Sequence, residues 1–327
     1  MTKFVAGRVV RLLTLMIGVA VGTFALMSAS PVDPIEAYVG ADSVQMSSEQ
    51  RAQIAERWGL DDPPVERFVA WAGQVVQGNL GTSQVFNAPV TEVIGEKFAS
   101  SLILMATAWL LSGLIGFGLG VLAGARHGSW LDKGISWWAY TLASAPVFWV
   151  GLLLLYVFSV SLQWTPVCCA GPIGALPGEV SLLERLHHLL LPALTLSVVG
   201  VAPVILHTRQ AVVEVLGSDQ VTFARSLGES PRGVIVHRVL RNAAGPALML
   251  QFASLGELFG GSVLAEQVFN YPGLGQAITT AALRQDIPLL MGISLAMALF
   301  VFAGNLIGDL LHTRVDPRVQ LTAGAGR

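Results

Sequence analysis

Between two long apolar runs the chain reads Ser218-Asp219-Gln220-Val221-Thr222-Phe223-Ala224-Arg225-Ser226-Leu227-Gly228. It continues Glu229-Ser230-Pro231-Arg232-Gly233 and reaches Arg241-Asn242-Ala243-Ala244-Gly245-Pro246. These residues predict a short helix, a turn at Gly228, and a second helix that runs into the next apolar segment. Ser230 has the side chain of an N-cap, and Pro231 fits a first helical position, where its missing N–H costs nothing. Val234, Val236, Val239 and Leu240 give the second helix an apolar side, while Arg232, Arg238 and Arg241 keep it in water or against headgroups. A solvated basic loop would account for that much. Val221, Phe223 and Leu227, however, would be exposed apolar groups if nothing docked on them, and the stretch is longer than a turnaround needs.

The flanking composition says where this stretch sits. With 327 residues, 53% hydrophobic and 12% charged, and a mean hydropathy of +0.64, the chain is not an ordinary soluble protein, in which about a quarter of residues are charged. Length alone suggests about two domains, but the apolar content places most of the chain in one membrane-embedded bundle. Apolar runs fall at 12–29, 101–125, 135–162, 189–206, 248–268 and 289–311. They approach or exceed the roughly 20 residues that cross about 30 Å of hydrocarbon. The first, preceded by Lys3, Arg8 and Arg11, has small residues near Ala29 that could serve a signal peptidase. With Val9 and Val10 it is long enough to span, and an uncleaved span is the expectation. Pro146 should kink the third run.

Residues 31–98 form the largest polar stretch. Positions 48–58 predict a capped amphipathic helix ending at Gly59, 60–63 a turn, and 65–76 a second amphipathic helix. A small helical cap on the bundle suffices to explain them. Orientation follows from Lys and Arg: thirteen of the nineteen lie on the side of Met1, with both chain ends and residues 207–246. That side is therefore expected to be cytoplasmic.

Several constellations can be weighed on their chemistry. Glu257 lies near the middle of the fifth run, where a charge costs roughly 2.5–3.5 kcal/mol on insertion scales. It should face the bundle interior, a translocation path or a partner subunit, or else be protonated or hydrogen-bonded to a neighbour. Cys168-Cys169 and His187-His188 lie in and at the end of the loop after the third run. Thiolates and imidazoles can bind metals, yet no known ligand spacing is present. A strained or absent disulfide and interfacial histidines are the plainer readings. Gly113, Gly116, Gly118 and Gly120 suggest close helix packing in lipid. Pro272-Gly273-Leu274-Gly275 is no phosphate cradle, because it follows a membrane helix and lacks a Lys-Ser/Thr ending. No Walker motif, HExxH or nucleophile elbow occurs, so ATP hydrolysis by this chain is not expected, nor is nucleic-acid binding.

The opening stretch also resembles the EAA loop of permease subunits in ATP-binding-cassette importers of the peptide and nickel branch. There an alanine lies four residues before a fixed glycine, and Arg-Asn-Ala leads to a proline eighteen residues after it. Ala224, Gly228, Arg241-Asn242-Ala243 and Pro246 reproduce those spacings. Where the branch carries basic residues six before and one before the glycine, this chain has Thr222 and Leu227. Further similarity lies in Arg8-Val9-Val10-Arg11-Leu12-Leu13, Ser30-Pro31-Val32-Asp33-Pro34, Gly78-Asn79-Leu80-Gly81-Thr82-Ser83, Gly128-Ser129-Trp130-Leu131-Asp132 and Pro146-Val147-Phe148-Trp149-Val150-Gly151. It extends to Pro272-Gly273-Leu274-Gly275, Asn305, Asp309 and Asp316-Pro317-Arg318, nearly the whole chain.

The resemblance implies an all-α membrane protein with six transmembrane helices, the permease fold of type I importers. Residues 1–30 would hold the cytoplasmic N-terminus and first helix, and 31–98 an extracytoplasmic helical insertion. Residues 99–318 would form the five-helix core with the coupling loop at 207–246, and 319–327 a cytoplasmic tail. Val221, Thr222, Phe223, Ala224, Leu227 and Gly228 would then meet an ATPase, and Glu257 would line the path or a subunit interface. The implied partners are a second, non-identical permease, two cytoplasmic ATPases that hold ATP and Mg, an extracytoplasmic substrate-binding protein, and lipid. Peptides are the expected cargo, with nickel or a metal chelate as the alternative. A self-contained secondary transporter would show an internal repeat and paired intramembrane charges, and an intramembrane enzyme would show a nucleophile–base pair. Neither is visible.

Overall fold

The computed structural model describes residues 2–39, 46–175 and 178–315. The Asp316-Pro317-Arg318 pattern and the 319–327 tail lie outside the described residues. Among those described the fold is all-α, apart from a two-residue antiparallel ladder between Thr82–Ser83 and Ala88–Pro89. The chain divides into two compact units, residues 1–101 with 272–302, and residues 102–271 with 303–327.

In the first unit, α1 (Thr2–Ser28) and α2 (Pro34–Val39) precede α3 (Ser48–Trp58) and α4 (Pro64–Val76). Ser47 and Gln50 close a capping box at the start of α3, and Gly59 ends it at φ +61, a conformation that costs glycine little. The unit also holds the start of α5 (Val90–Ala125), α13 (Leu274–Leu283) and the start of α14 (Ile287–Val315). Val90, Val93, Leu274, Ala281, Leu289 and Ile293 form one core, and Ala20, Phe24, Met291 and Leu295 another. Ser101 Oγ accepts the Leu274 N–H at 2.7 Å, so the Pro272-Gly273-Leu274-Gly275 turn is tied to α5. Buried Asp286 caps α14 through the Leu289 N–H at 3.2 Å and takes a 2.6 Å hydrogen bond from Ser83 Oγ.

The second unit contains the rest of α5, α6 (Trp130–Ser144), α7 (Val147–Leu154, continued by a wider π turn over Leu155–Ser161) and α8 (Leu182–Leu216). After them come α9 (Asp219–Ser226) and α10 (Pro231–Val234, continued by a π turn over Ile235–Val239). The last are α11 (Leu240–Ala253) and α12 (Leu255–Val268). Helix α8 is its hub, packing against α6, α7, α11 and α12. Glycine decides how close α5 comes. A Cβ at Gly116, Gly120 or Gly124 would lie 2.6–2.7 Å from the Cβ of Val204, Thr208 or Val212 on α8. The seam therefore repeats every four residues on both helices. Gly116 and Gly120 belong to it as the sequence suggests, Gly124 joins them, and Gly118 faces open space.

Among the described residues, four helices are long and apolar enough to cross a membrane: Gly7–Ser28, Val90–Ala125, Leu182–Leu216 and Ile287–Gly308. Trp130–Ser144 with Val147–Ser161, bent by 108°, and Pro231–Ala253 with Leu255–Val268, bent by 53°, bring the number to six if each pair crosses once. The expected single kinked helix at 135–162 is thus corrected to a broken one. The ring of Pro146 excludes helical backbone from the residue before it. Ala145 is accordingly extended at φ −88, ψ 129, and α7 starts afresh.

Candidate functional site

The stretch from Leu216 to Pro246 folds as a compact platform within the second unit. Helix α8 stops at Gly217, and Ser218 opens α9. The end of α9 is a Schellman turn: the Gly228 N–H donates to Arg225 O at 3.0 Å, and the Glu229 N–H to Ala224 O at 3.1 Å. Gly228 stands at φ +83 with open space around its Cα. The requirement there is backbone conformation rather than room. Ser230 Oγ accepts the Gly233 N–H at 3.1 Å and Pro231 follows it, as the sequence predicts for an N-cap. Glu229 latches the turn to the next helix, accepting from Arg238 Nε at 2.9 Å, with His237 Nδ1 at 3.7 Å.

Two faces of α9 separate cleanly. Val221 joins Val212, Val234, Val239 and Ala243 in a small core, onto which Phe117 and Val121 of α5 pack. Val221 and Ala224 are 0% and 1% exposed, whereas Phe223 and Leu227 are 65% and 71% exposed. The expectation that Val221 needs an outside partner is therefore corrected. At 100° per residue, positions 221 and 224 share the inward face. Ala224 is small because α9 packs closely on its own chain. Thr222, Phe223, Leu227 and Gly228 remain on the surface, with Arg225 and Ser226 exposed beside them.

A second polar cluster ties the start of α6 to α8. Asp132, 2% exposed at the first turn of α6, receives Nε and Nη2 of Arg209 on α8 and the Gly128 N–H at 2.9 Å. His127 Nδ1 lies 3.1 Å from Arg209 Nη2. In sequence Asp132 belongs only to a turn and Arg209 only to the charge count. They are 77 positions apart, and nothing local pairs them.

Glu257 sits on the exposed face of α12, with Gly260, Leu264 and Gln267 along the same stripe. The opposite face, carrying Leu258, Phe259, Ser262, Ala265 and Glu266, is buried. A place for Glu257 inside this chain's own bundle is thereby corrected, and the buried carboxylate of α12 is Glu266. No sequence signal separates the two, since helical phase is set by what α12 packs against. After α12, Tyr271 is buried near Glu266, and the two effects push its phenol up to about 12.

Cys168 and Cys169 are joined to each other by a disulfide. The Cys169 N–H donates to Phe269 O at 2.9 Å. His188 Nδ1–H donates to Cys168 O and His187 Nε2–H to Trp164 O, both at 2.9 Å. The two histidines thus hold the loop to α8. Among the described residues no group of three or more His, Cys, Asp or Glu is placed to hold a metal ion.

Comparison with known proteins follows the same lines. Residues 116–321 match the family described as binding-protein-dependent transport system inner membrane component. The chain is 34% identical to the oligopeptide transport system permease protein AppB of Bacillus subtilis, over 98% of this chain and 100% of that one. It is 34% identical to the di/tripeptide transport system permease protein DppB of Pseudomonas aeruginosa, over 98% and 99% of the two chains. Over the same shares it is 31% identical to the dipeptide transport system permease protein DppB of Escherichia coli K12.

Proposed function

The chain belongs to the binding-protein-dependent transport system inner membrane components, and from that premise we propose that it is the permease subunit of an ATP-driven importer of di- or oligopeptides. It is a non-catalytic, multi-pass component of the inner membrane and works with a binding protein and an ATPase. The peptide cargo is inferred from relatives described as peptide permeases along their full length.

The observation that carries the mechanical reading is the two-faced α9. Phe223 and Leu227, four residues apart, present an apolar ridge outward, while Val221 and Ala224 lock the same helix onto α8 and α10. A push on that ridge is delivered to a packed element continuous with α11. In the proposed cycle, closure of two ATPases on ATP and Mg moves this platform in each of two permeases. That motion exposes a central path to one side of the membrane and then the other. No cofactor is needed in this chain.

The finer proposals rest on separate observations. The second permease is taken as non-identical, following the family pattern. Thirteen of nineteen basic residues on the side of Met1 support cytoplasmic chain ends, a cytoplasmic platform and an extracytoplasmic 31–98 insertion. Glu257, on the uncovered stripe of α12, is assigned to the path or to the facing permease.

The test is reconstitution with the partner permease, ATPases and binding protein in proteoliposomes. ATP-dependent uptake of labelled di- or tripeptide is expected. Uptake of nickel or a nickel chelate in place of peptide would move the chain to the other cargo class. Uptake without any ATPase would remove it from this mechanism. A cysteine placed at Asp61 should react with an impermeant reagent from outside, and one at Arg225 should not. The reverse would invert the orientation.

A further inference from the structure

Within the first unit, helix α4 carries three faces where a helix packed in water needs two. At about 100° per residue from Val65, Phe68, Trp71 and Val75 fall within about 240–300°, Val65, Val69, Gly73 and Val76 within about 0–80°, and Glu66, Gln74 and Gln77 within about 100–180°. The first set packs on the bundle. Phe68, Trp71 and Val75 join Ala20 and Phe24 of α1 and Met291 and Leu295 of α14, and the Phe24 and Phe68 rings stand 5.3 Å apart. The third set is polar and exposed, as water requires. The second is apolar and exposed all the same: Val65, Val69 and Val76 are 73%, 63% and 89% exposed, and a Cβ on Gly73 would meet nothing within 4 Å. Helix α3, just before it in the chain, exposes Glu49, Gln50, Arg51, Gln53, Glu56 and Arg57 instead.

Depth supplies the occupant of the valine face. Both α1 and α14 are long and apolar enough to cross a membrane. Phe24 lies four residues before the end of α1, and Met291 four residues into α14, each about 6 Å along its helix. Their packing partner α4 is therefore held one turn inside the ends of two spans, where acyl chains give way to headgroups. At that level α1 leaves Val21 and Leu26 exposed, so the valine face continues a surface that already meets lipid. Roughly a third of a turn separates each face of α4 from the next. A helix lying along the membrane surface can then meet protein at its side, hydrocarbon beneath and water above. We propose that α4 is such an interfacial helix, with Val65, Val69 and Val76 among the acyl chains of the leaflet at the Ser28 end of α1. Glu66, Gln74 and Gln77 face water, and the 31–98 insertion is anchored to the bilayer as well as to the bundle. The proposal rests on α1 and α14 crossing the membrane and is independent of the cargo.

The experiment is a spin-label accessibility scan of the permease–ATPase complex in nanodiscs of phosphatidylethanolamine and phosphatidylglycerol, with and without the binding protein. Cys168 and Cys169 are bonded to each other, so a single added cysteine takes the label. It replaces in turn Val65, Glu66, Val69, Gln74, Val76 and Gln77 on α4, and Gln53 on α3 as the reference in water. All seven side chains are exposed, so the fold tolerates the label. Labels at Val65, Val69 and Val76 are expected to collide freely with oxygen, and at least fivefold less often with a water-soluble chromium chelate than labels at Glu66, Gln77 and Gln53. Chromium collisions at the three valines equal to those at Gln53 would place α4 in water and overturn the proposal. Shielding of the valines from both reagents at all times would assign the face to the second permease, and shielding only when the binding protein is added would assign it to that protein. Either result would overturn lipid as the occupant. Failure here leaves the importer assignment standing, and failure of peptide uptake leaves this scan unaffected.

Discussion

Val221 and Phe223 stand two residues apart on α9 and face opposite ways, the first fully buried in the chain's own core and the second 65% exposed. One helix therefore divides the work between attachment and contact, and substitutions on its two faces should fail differently.

On the outer face, Phe223→Ser and Leu227→Ser should leave the permease folded and inserted while weakening its hold on the ATPase. Burying such a side chain is worth about 1.5–3 kcal/mol, and about 1.4 kcal/mol is tenfold in affinity. Each substitution should then cost about tenfold or more in ATPase association, read by co-purification across ATPase concentrations. Undiminished recovery for the double variant would show that this ridge is not the contact.

On the inner face, Ala224→Glu should act through the permease itself. A carboxylate at a position 1% exposed has no partner in the small core around Val221, so the platform should loosen. Limited proteolysis of the detergent-purified chain should cut at 217–233 faster than in the parent. An unchanged cleavage rate with lost ATPase binding would place Ala224 at the interface instead.

At the turn, Gly228→Val forces a β-branched residue to φ +83 with no steric clash to confuse the reading. Left-handed backbone costs an L-residue roughly 1–2 kcal/mol, so the Schellman turn should be populated less. The expected outcome is ATP hydrolysis that continues with fewer peptides moved per ATP. Gly228→Asn, which tolerates this region better, should recover most of the coupling. Equal coupling in all three proteins would dismiss the turn as a mechanical element.

Asp132→Asn removes the charge from the pair with Arg209 and keeps its shape. Hydrogen bonds to charged groups contribute about 1.5–3 kcal/mol. The loss should fall at the lower end, because the Arg209 side chain is 27% exposed and can turn to water. A lowered thermal unfolding midpoint is expected. Arg209→Lys, unable to make the two-pronged contact, should show a similar drop. No shift in either variant would make the cluster a bystander.

Glu257→Gln tests the exposed stripe of α12. If the carboxylate faces the path or the second permease, peptide uptake or assembly should change while this chain's own stability holds, since Glu257 is exposed in it. Wild-type uptake across pH, with normal assembly, would leave the charge without a role.

Much of this was decided by local chemistry and is legible in order along the chain. Ser230 and Pro231 start a helix because of what their side chain and ring can do locally. Gly59 and Gly228 end helices because their φ is positive, and the apolar runs are long because hydrocarbon is thick. A kink at Pro146 was legible too, but not that the helix breaks there and turns by 108°, which depends on what α6 and α7 each pack against. Only tertiary structure could phase the helices. Whether Glu257 or Glu266 is buried on α12, and Val221 or Phe223 on α9, turns on a rotation of the helix that apolar residues on several sides leave open in sequence. It is fixed by the neighbours: Val212 and Val239 for α9, and helices α7 and α8 for α12. The same holds for Asp132 with Arg209, and for Phe68 of α4 against Phe24 of α1. These groups lie far apart in the chain, so no spacing rule could join them. Packing alone brings them within reach.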